Sequence, residues 1–380
     1  YYFHHMHFQF EVLHQSKKSS ARVGRIHTPH GIIDTPNFVG VGTNGTMKAL
    51  DYVSVEEIGL QLMFCNTYHL VLQPGPEVVR AAGGLHRYIN RKMPLITDSG
   101  GFQVFSLAYG SVADELKSRG TKKRESSVLK ISEEGVLFRS YIDGSKILLT
   151  PETSIAAQKD FGADIMITFD ELPPYHIGER QLKESFDRTH RWQKRSLQAH
   201  KNDPRKQALY AVIHGGVDWE LRRQSCSILR EDDYEGFAIG GSLGKTKEEM
   251  YQLLVHTTPH LPKEKPNHLL GIGDLTSVIA AIPFGIDTFD SSYPTKMARH
   301  GVLLTHDGPL NVTKGEHKKN FTPISPSCSC YACKNFTVAY LNHLFKAKEL
   351  LAYTLATIHN LTFMVEKMKS LREDIFMDKI

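Results

Sequence analysis

Asp98 and Asp290 lie far apart in the chain, yet each follows a short apolar run. Two carboxylates brought into one pocket can divide labour. One, kept ionised, attacks an anomeric carbon and forms a covalent ester; the other, with a raised pKa, handles the proton. A single strand-end Asp is more often a loop cap, so only the pairing points to chemistry. Gly100-Gly101 and Gly240-Gly241 would let a planar ligand approach the backbone. A second constellation is Cys328-Ser-Cys330-Tyr-Ala-Cys333, three thiols within six residues. Three thiolates and one imidazole make a closed tetrahedral zinc site, structural because no position is left for water. His343 and His359 can each supply the imidazole, and spacing alone leaves both open. Cys65 and Cys226 read as buried or free thiols.

Such residues need a frame. Eight short β-rich apolar runs recur, at 37–41, 61–65, 94–97, 164–169, 209–213, 236–239, 268–272 and 286–289. Several are apolar at consecutive positions, which suits strands buried on both faces. Helix-like stretches at 151–161, 179–200, 220–229 and 247–257 separate many of them. This alternation implies β-α-β units and an α/β fold, with a closed (β/α)8 TIM barrel favoured over an open doubly wound sheet. In such barrels function sits at the C-terminal strand ends. Here those ends carry Thr67 and His69, Asp98, Asp170-Glu171, His214-Gly-Gly, Gly240-Gly241, Gly273-Asp274 and Asp290.

Two segments break the alternation. Residues 110–149 hold a basic cluster (Lys117, Arg119, Lys122, Lys123, Arg124) and then β-like runs, read as a hairpin insertion. Residues 307–334 are rich in Pro, Ser, Lys and Cys, and a helical pattern follows over 336–377, with a break expected near Asn360. The domain reading is therefore a barrel over 8–306, and a zinc-binding subdomain with closing helices over 307–380. Residues 1–7 (YYFHHMH) read as an expression-tag remnant, which also accounts for His5-x-His7.

Composition excludes whole classes. The chain has 380 residues, 41% hydrophobic and 23% charged, which argues against extensive disorder. No run reaches the roughly 18 apolar residues of a spanning helix, so no membrane partner is expected. The net charge of +5 permits a nucleic-acid partner without demanding one. An odd cysteine count with three clustered fits a reduced, cytoplasmic setting.

Several motifs are more specific. FCNTYHL (64–70), DSGGFQVFSL (98–107), IGGSLG (239–244), HLLGIGD (268–274), FDSSYPTKMARHG (289–301) and CSCYAC with a His twenty-six residues on resemble the tRNA-guanine transglycosylase family, from about residue 8 to the end. The resemblance implies an irregular TIM barrel with an inserted zinc subdomain, and a homodimer of the bacterial, single-chain type. It implies exchange of guanine at the wobble position of a tRNA anticodon loop for queuine or a 7-aminomethyl-7-deazaguanine precursor. By resemblance, Asp290 is the nucleophile on C1′ and Asp98 the general acid/base. Asp170 reads the base's Watson–Crick edge, Phe102 stacks on it, and Gly241 and Ser242 offer backbone contacts. Asn66, His214, Gly240, Gly244 and Leu270 complete the base pocket. Lys296 and Arg299 hold the RNA, with Lys314, Lys318 and Lys319 as further phosphate candidates. The zinc ligands become Cys328, Cys330, Cys333 and His359.

Departures from the family pattern bear on the base. His214 replaces a Gln, and its charge is expected to vary near neutral pH. Leu172 replaces the Cys of most bacterial relatives, and Gly244 a bulkier Val; both changes occur in queuine-using eukaryotic relatives. Thr246 replaces an acidic residue that binds the precursor's amine. Queuine is therefore favoured. Lys296 stands for an Arg and loses bidentate phosphate contact. Two other classes compete with this reading. A non-catalytic tRNA-binding partner subunit is disfavoured because both aspartates are retained. A metal-dependent barrel hydrolase would need His/Asp ligands at strand ends.

Overall fold

The computed structural model describes residues 8–109, 128–173, 175, 177–241 and 243–380; the basic cluster at 117–124, Ser242 and residues 1–7 lie outside the described residues. The chain opens with an antiparallel sheet of β1 (Gln9–Gln15), β2 (Arg22–Thr28) and β3 (Gly31–Thr35). The barrel begins with β4 (Asn37–Val41), β5 (Met63–Cys65) and β6 (Leu95–Thr97). An antiparallel excursion follows, of β7 (Val128–Ile131), β8 (Val136–Arg139) and β9 (Lys146–Leu149). It has three strands, one more than the expected hairpin, because Lys146–Leu149 pairs back on β8 before the next helix starts. The barrel then continues through β10 (Ile165–Ile167), β11 (Ala208–Ile213), β12 (Gly236–Ile239), β13 (Asn267–Leu269) and β14 (Thr288–Ser291). β14 pairs with β4 and β10 with β6, closing eight parallel strands in chain order and excluding the open sheet.

Alternation within each strand sorts the core, even where the sequence reads as continuously apolar. Ala208, Tyr210 and Val212 of β11 join the barrel interior with Val39, Phe64, Ile96 and Ile165. Leu209, Ala211 and Ile213 belong to the layer shared with the surrounding helices. Ile26 and Ile33 of the N-terminal sheet add to the interior cluster and plug the barrel. The same period-2 rule places Phe289 and Leu269 in the outer layer. It therefore turns their neighbours Thr288, Asp290, His268 and Leu270 inward.

The helices start where local chemistry dictates. Asp218, Thr246 and Asp274 each accept a backbone N–H at a helix N-terminus, and Thr150 forms a capping box with Thr153. The C-terminal break falls at Lys348, not Asn360. Lys348 adopts a left-handed φ of 58° and ends the helix Val338–Ala347. Asn360 sits inside the helix Leu350–Phe376 because the tertiary structure satisfies its amide. It accepts from the Leu304 N–H and donates to the Pro294 and Val302 carbonyls.

At the N-terminal strand ends, His30 and His86 stack at 3.5 Å between ring centroids, both beside Asp164. Burial alone would raise the Asp164 pKa, but the two imidazoles outweigh it and hold it near about 2. The rings lie within 11° of parallel, so their in-plane lone pairs do not converge on one point. The cluster is a clasp between the β2–β3 turn and the barrel.

A second clasp is the Arg22–Asp287 pair, at 3.0 and 2.6 Å and almost fully buried. Arg22 also donates to the Lys263 and Lys265 carbonyls, and Asp287 accepts from the Asn267 N–H. Replacing Arg22 with Leu strands a buried carboxylate. The expected loss of unfolding free energy is about 3–5 kcal/mol, read as a lowered urea midpoint; a loss under about 1 kcal/mol would show that the pair is not the clasp described.

Candidate active site

The mouth of the barrel gathers three carboxylates from three strand ends. Asp98 follows β6, Asp170 lies just beyond β10, and Asp290 lies in β14. Asp98 and Asp290 are only 8% and 6% exposed. Neither points into bulk water, and the Asp290 charge is close enough to raise the pKa of Asp98.

Their surroundings differ. Asp98 accepts from Asn66 Nδ2 at 2.7 Å through Oδ2, and from the Thr67 N–H at 2.7 Å through Oδ1. Thr67 Oγ1 donates back to the Asp98 carbonyl, locking the β5 and β6 ends together. Burial dominates nonetheless. Against these donors, it pushes the Asp98 carboxyl up to about 6. Asp170 rises further, to about 7, again chiefly through burial, with the Asp98 charge adding to it. Ser99 Oγ donates to Asp170 at 3.4 Å.

Asp290 is held by one oxygen. Oδ1 accepts from His268 Nε2 and from the Gly271 N–H, each at 2.9 Å. Among the described residues no donor reaches Oδ2. His268 is fully buried, and its Nδ1 lies 2.7 Å from Thr288 Oγ1. It escaped the sequence reading because it sits in the run HLLGI. The available signal was one polar residue on the inward register, two positions before Leu270.

Arg222 was also missed. It is buried beneath the site and donates to the Gly216, Ile213 and Gly240 carbonyls at 2.9, 2.8 and 2.8 Å. One guanidinium thus fixes the ends of β11 and β12. Gly241, beside it, has a φ of 77°, a conformation that favours glycine. A side chain at Gly240 would come within 2.9 Å of Leu270, so backbone and Leu270 approach closely there.

His214 calls for a correction. Burial lowers its pKa to about 3, so it stays neutral near pH 7 and does not vary in charge. Its Nε2 faces the Glu171 carbonyl, which can only accept. The proton therefore sits on Nε2, and the buried Nδ1 is an acceptor with no partner among the described residues. Phe102 stands 52% exposed next to Asp98's turn.

Other expected positions are bland or changed. Asp274 caps a helix and pairs with Lys247 at 2.7 Å; His69 meets Tyr141 at 3.2 Å. Gly244 has a φ of 102°, and a Cβ there would lie 2.6 Å from Glu249 Cβ. The backbone itself demands glycine, and Glu249 takes up space that the missing side chain was expected to open. Thr246 is committed to its helix cap. Lys296 and Arg299 lie in the helix Tyr293–Arg299 that follows Asp290. Lys296 is exposed, whereas Arg299 is half-buried, and one of its guanidinium nitrogens is shielded from solvent without a partner among the described residues.

The cysteine cluster resolves the open ligand. Sγ of Cys328, Cys330 and Cys333 lie 3.8, 3.7 and 3.4 Å from Nδ1 of His359, in the helix Leu350–Phe376. Bond lengths near 2.3 Å to sulfur and 2.0–2.1 Å to nitrogen give a tetrahedral edge of about 3.6 Å. The four atoms therefore fit one ion. His359 Nε2 donates to the Leu304 carbonyl at 2.8 Å, which leaves Nδ1 bare for the metal. Among the described residues the other histidine–carboxylate grouping is the His30–His86–Asp164 clasp, at the opposite end of the barrel from the carboxylates, and its stacked rings do not aim at one point.

A closed parallel barrel with buried carboxylates at its mouth and a separate three-cysteine, one-histidine centre defines an enzyme scaffold. A family model described as Queuine tRNA-ribosyltransferase matches residues 16–380, and the chain belongs to that family. A Queuine tRNA-ribosyltransferase of Protochlamydia amoebophila (strain UWE25) is 68% identical over 373 residues, covering 98% of this chain and 96% of the relative. Those of Chlamydia felis (strain Fe/C-56) and Chlamydia trachomatis serovar L2 are 55% and 51% identical, each over 98% of this chain and 99% of the relative.

The ligand geometry yields a prediction. Elemental analysis of the purified protein should find about one metal ion per chain; His359→Ala should lose it and His343→Ala should keep it. Loss with His343→Ala alone would overturn the ligand set.

Proposed function

We propose that this enzyme exchanges guanine at the wobble position of a tRNA anticodon for a 7-substituted 7-deazaguanine. The observation that carries the reading is the contrast between two buried carboxylates in one mouth. Asp290 offers a free oxygen while its other oxygen is anchored by two donors. Asp98 has a pKa near 6, suited to proton transfer near neutral pH.

In this reading Asp290 Oδ2 attacks C1′ of the ribose. The glycosidic bond breaks, its electron pair leaves with guanine, and Asp98 supplies the proton. The incoming base then gives its proton to Asp98 and displaces the ester, restoring the Asp290 carboxylate. One glycosidic bond replaces another, so no external energy source is needed. The target base must leave the stack to enter the pocket, where Phe102 is placed to stack on it. Asp170 faces its polar edge, and the bare His214 Nδ1 can accept one of its N–H groups. Asn66 holds Asp98, while Gly240, Gly241, Gly244 and Leu270 line the pocket wall. The exposed Lys296 and the half-buried Arg299, one turn apart on the helix after Asp290, supply positive charge for an RNA phosphate.

The donor set suits Zn2+, which would pin 328–333 to the helix Leu350–Phe376 in a structural role. A homodimer is part of the same reading. Queuine remains the favoured incoming base, on Leu172 and on a Thr246 hydroxyl that offers no carboxylate to an amine.

Incorporation of radiolabelled guanine into unmodified tRNA tests the core. Asp290→Ala should abolish exchange, and Asp98→Asn should slow it by about 10²–10⁴-fold. The step that releases guanine needs protonated Asp98, which predominates below about pH 6. Single-turnover release should therefore slow as pH rises above that value, and Asp98→Asn should be slow and flat with pH. Exchange by Asp290→Ala at the wild-type rate would reject the proposal. In parallel assays, queuine should give a higher kcat/KM than the aminomethyl precursor; the reverse order would reject the base assignment alone.

A further inference from the structure

We infer that His268, held by Thr288, is a positioning residue that acts mainly in the second half of the exchange, when the covalent ester breaks. The inference rests on the base-exchange reading and deepens it.

His268 Nε2 and Thr288 Oγ1 flank one buried imidazole, at 2.9 Å from Asp290 Oδ1 and 2.7 Å from Nδ1 respectively. An ionised carboxylate can only accept, so Nε2 must carry a proton. In the neutral ring Nδ1 is then bare, and the Thr288 hydroxyl donates to it. Thr288 and Asp290 are inward neighbours on β14, and His268 stands opposite Thr288 on β13. The Phe64 ring covers His268 at 6.0 Å between centroids. The tautomer is thus fixed by strand register and burial, not by solvent.

Among the described residues, both donors to Asp290 converge on Oδ1, so the attacking atom is Oδ2. In the ester, Oδ1 is a neutral carbonyl oxygen and a weak acceptor. When the incoming base attacks C1′, the C1′–Oδ2 bond breaks and its electron pair returns to the carboxylate. The proton of the incoming base goes to Asp98. Charge grows on Oδ1 as well as Oδ2, and the His268 and Gly271 donors gain strength along this coordinate. Interactions stronger in the transition state than in the ground state accelerate a step. In the first half-reaction the same donors face a carboxylate that is losing charge, so they orient it without lowering that barrier. Loss of His268 must therefore slow ester breakdown more than ester formation.

The test measures both half-reactions with unmodified tRNA on denaturing gels. His268→Phe should form the enzyme–tRNA adduct at close to the wild-type rate. It should discharge that adduct onto added guanine about 10- to 100-fold more slowly, the worth of one hydrogen bond to a charged group. KM for tRNA and for guanine should stay within about twofold. His268→Gln, which keeps an N–H donor, should restore most of the discharge rate. Thr288→Val, a milder change should His268→Phe fail to fold, should slow discharge by about two- to tenfold. Wild-type discharge in His268→Phe, or in Thr288→Val if only that variant folds, overturns the inference, as does a defect confined to KM or thermal stability. An adduct absent from the wild-type protein overturns the base-exchange reading itself, and this inference with it.

Discussion

Hydrogen-bond donors are shared unequally between two carboxylates that burial would otherwise make alike. Asp98 has its donors spread over both oxygens and still rises to about 6. Among the described residues, both donors to Asp290 fall on one oxygen and leave the other open. The first pattern suits a group that gains and loses a proton, the second a group that gives an electron pair along one direction. Every larger feature serves to keep these two side chains opposite each other: closure of eight strands, the inward register of β13 and β14, and the Thr67 link between β5 and β6.

The supporting charges lie under the site. Arg222 gathers three carbonyls from the ends of β11 and β12, so the glycine loops that face a ligand rest on a fixed base. At the opposite end, the Arg22–Asp287 pair and the His30–His86–Asp164 clasp join the N-terminal sheet to the strands. The cysteine cluster does the same for the C-terminal helix through His359 and Asn360, neighbouring residues that both bond segment 302–304. A polar residue inside a long helix is tolerable there because its partners are supplied from elsewhere in the fold.

That last case marks the boundary of what the sequence discloses. Strand–helix alternation made the barrel legible, and all eight apolar runs became barrel strands. Thr150 and Thr246 cap the stretches at 151–161 and 247–257 locally, and those stretches were legible as helices. The break at Lys348 was not, since a left-handed lysine carries no compositional mark, whereas Asn360 looked like a breaker until its tertiary partners were visible. At the site, Asp98 and Asp290 could be found because their flanking motifs are distinctive. His268 and Arg222 could not, since their meaning depends on which way a strand residue turns and which carbonyls come near. His214 was recognised, but its charge state was set by burial, which spacing does not report.

The proposed exchange requires Asp290, and no other carboxylate of the mouth, to take the ribose. Quenching the enzyme with unmodified tRNA, digesting the adduct with nuclease and protease, and sequencing the peptides by tandem mass spectrometry would locate the ribose directly. The mass increment should fall on Asp290, within the peptide that spans β14. An increment on Asp98 or Asp170 would contradict the division of labour described here.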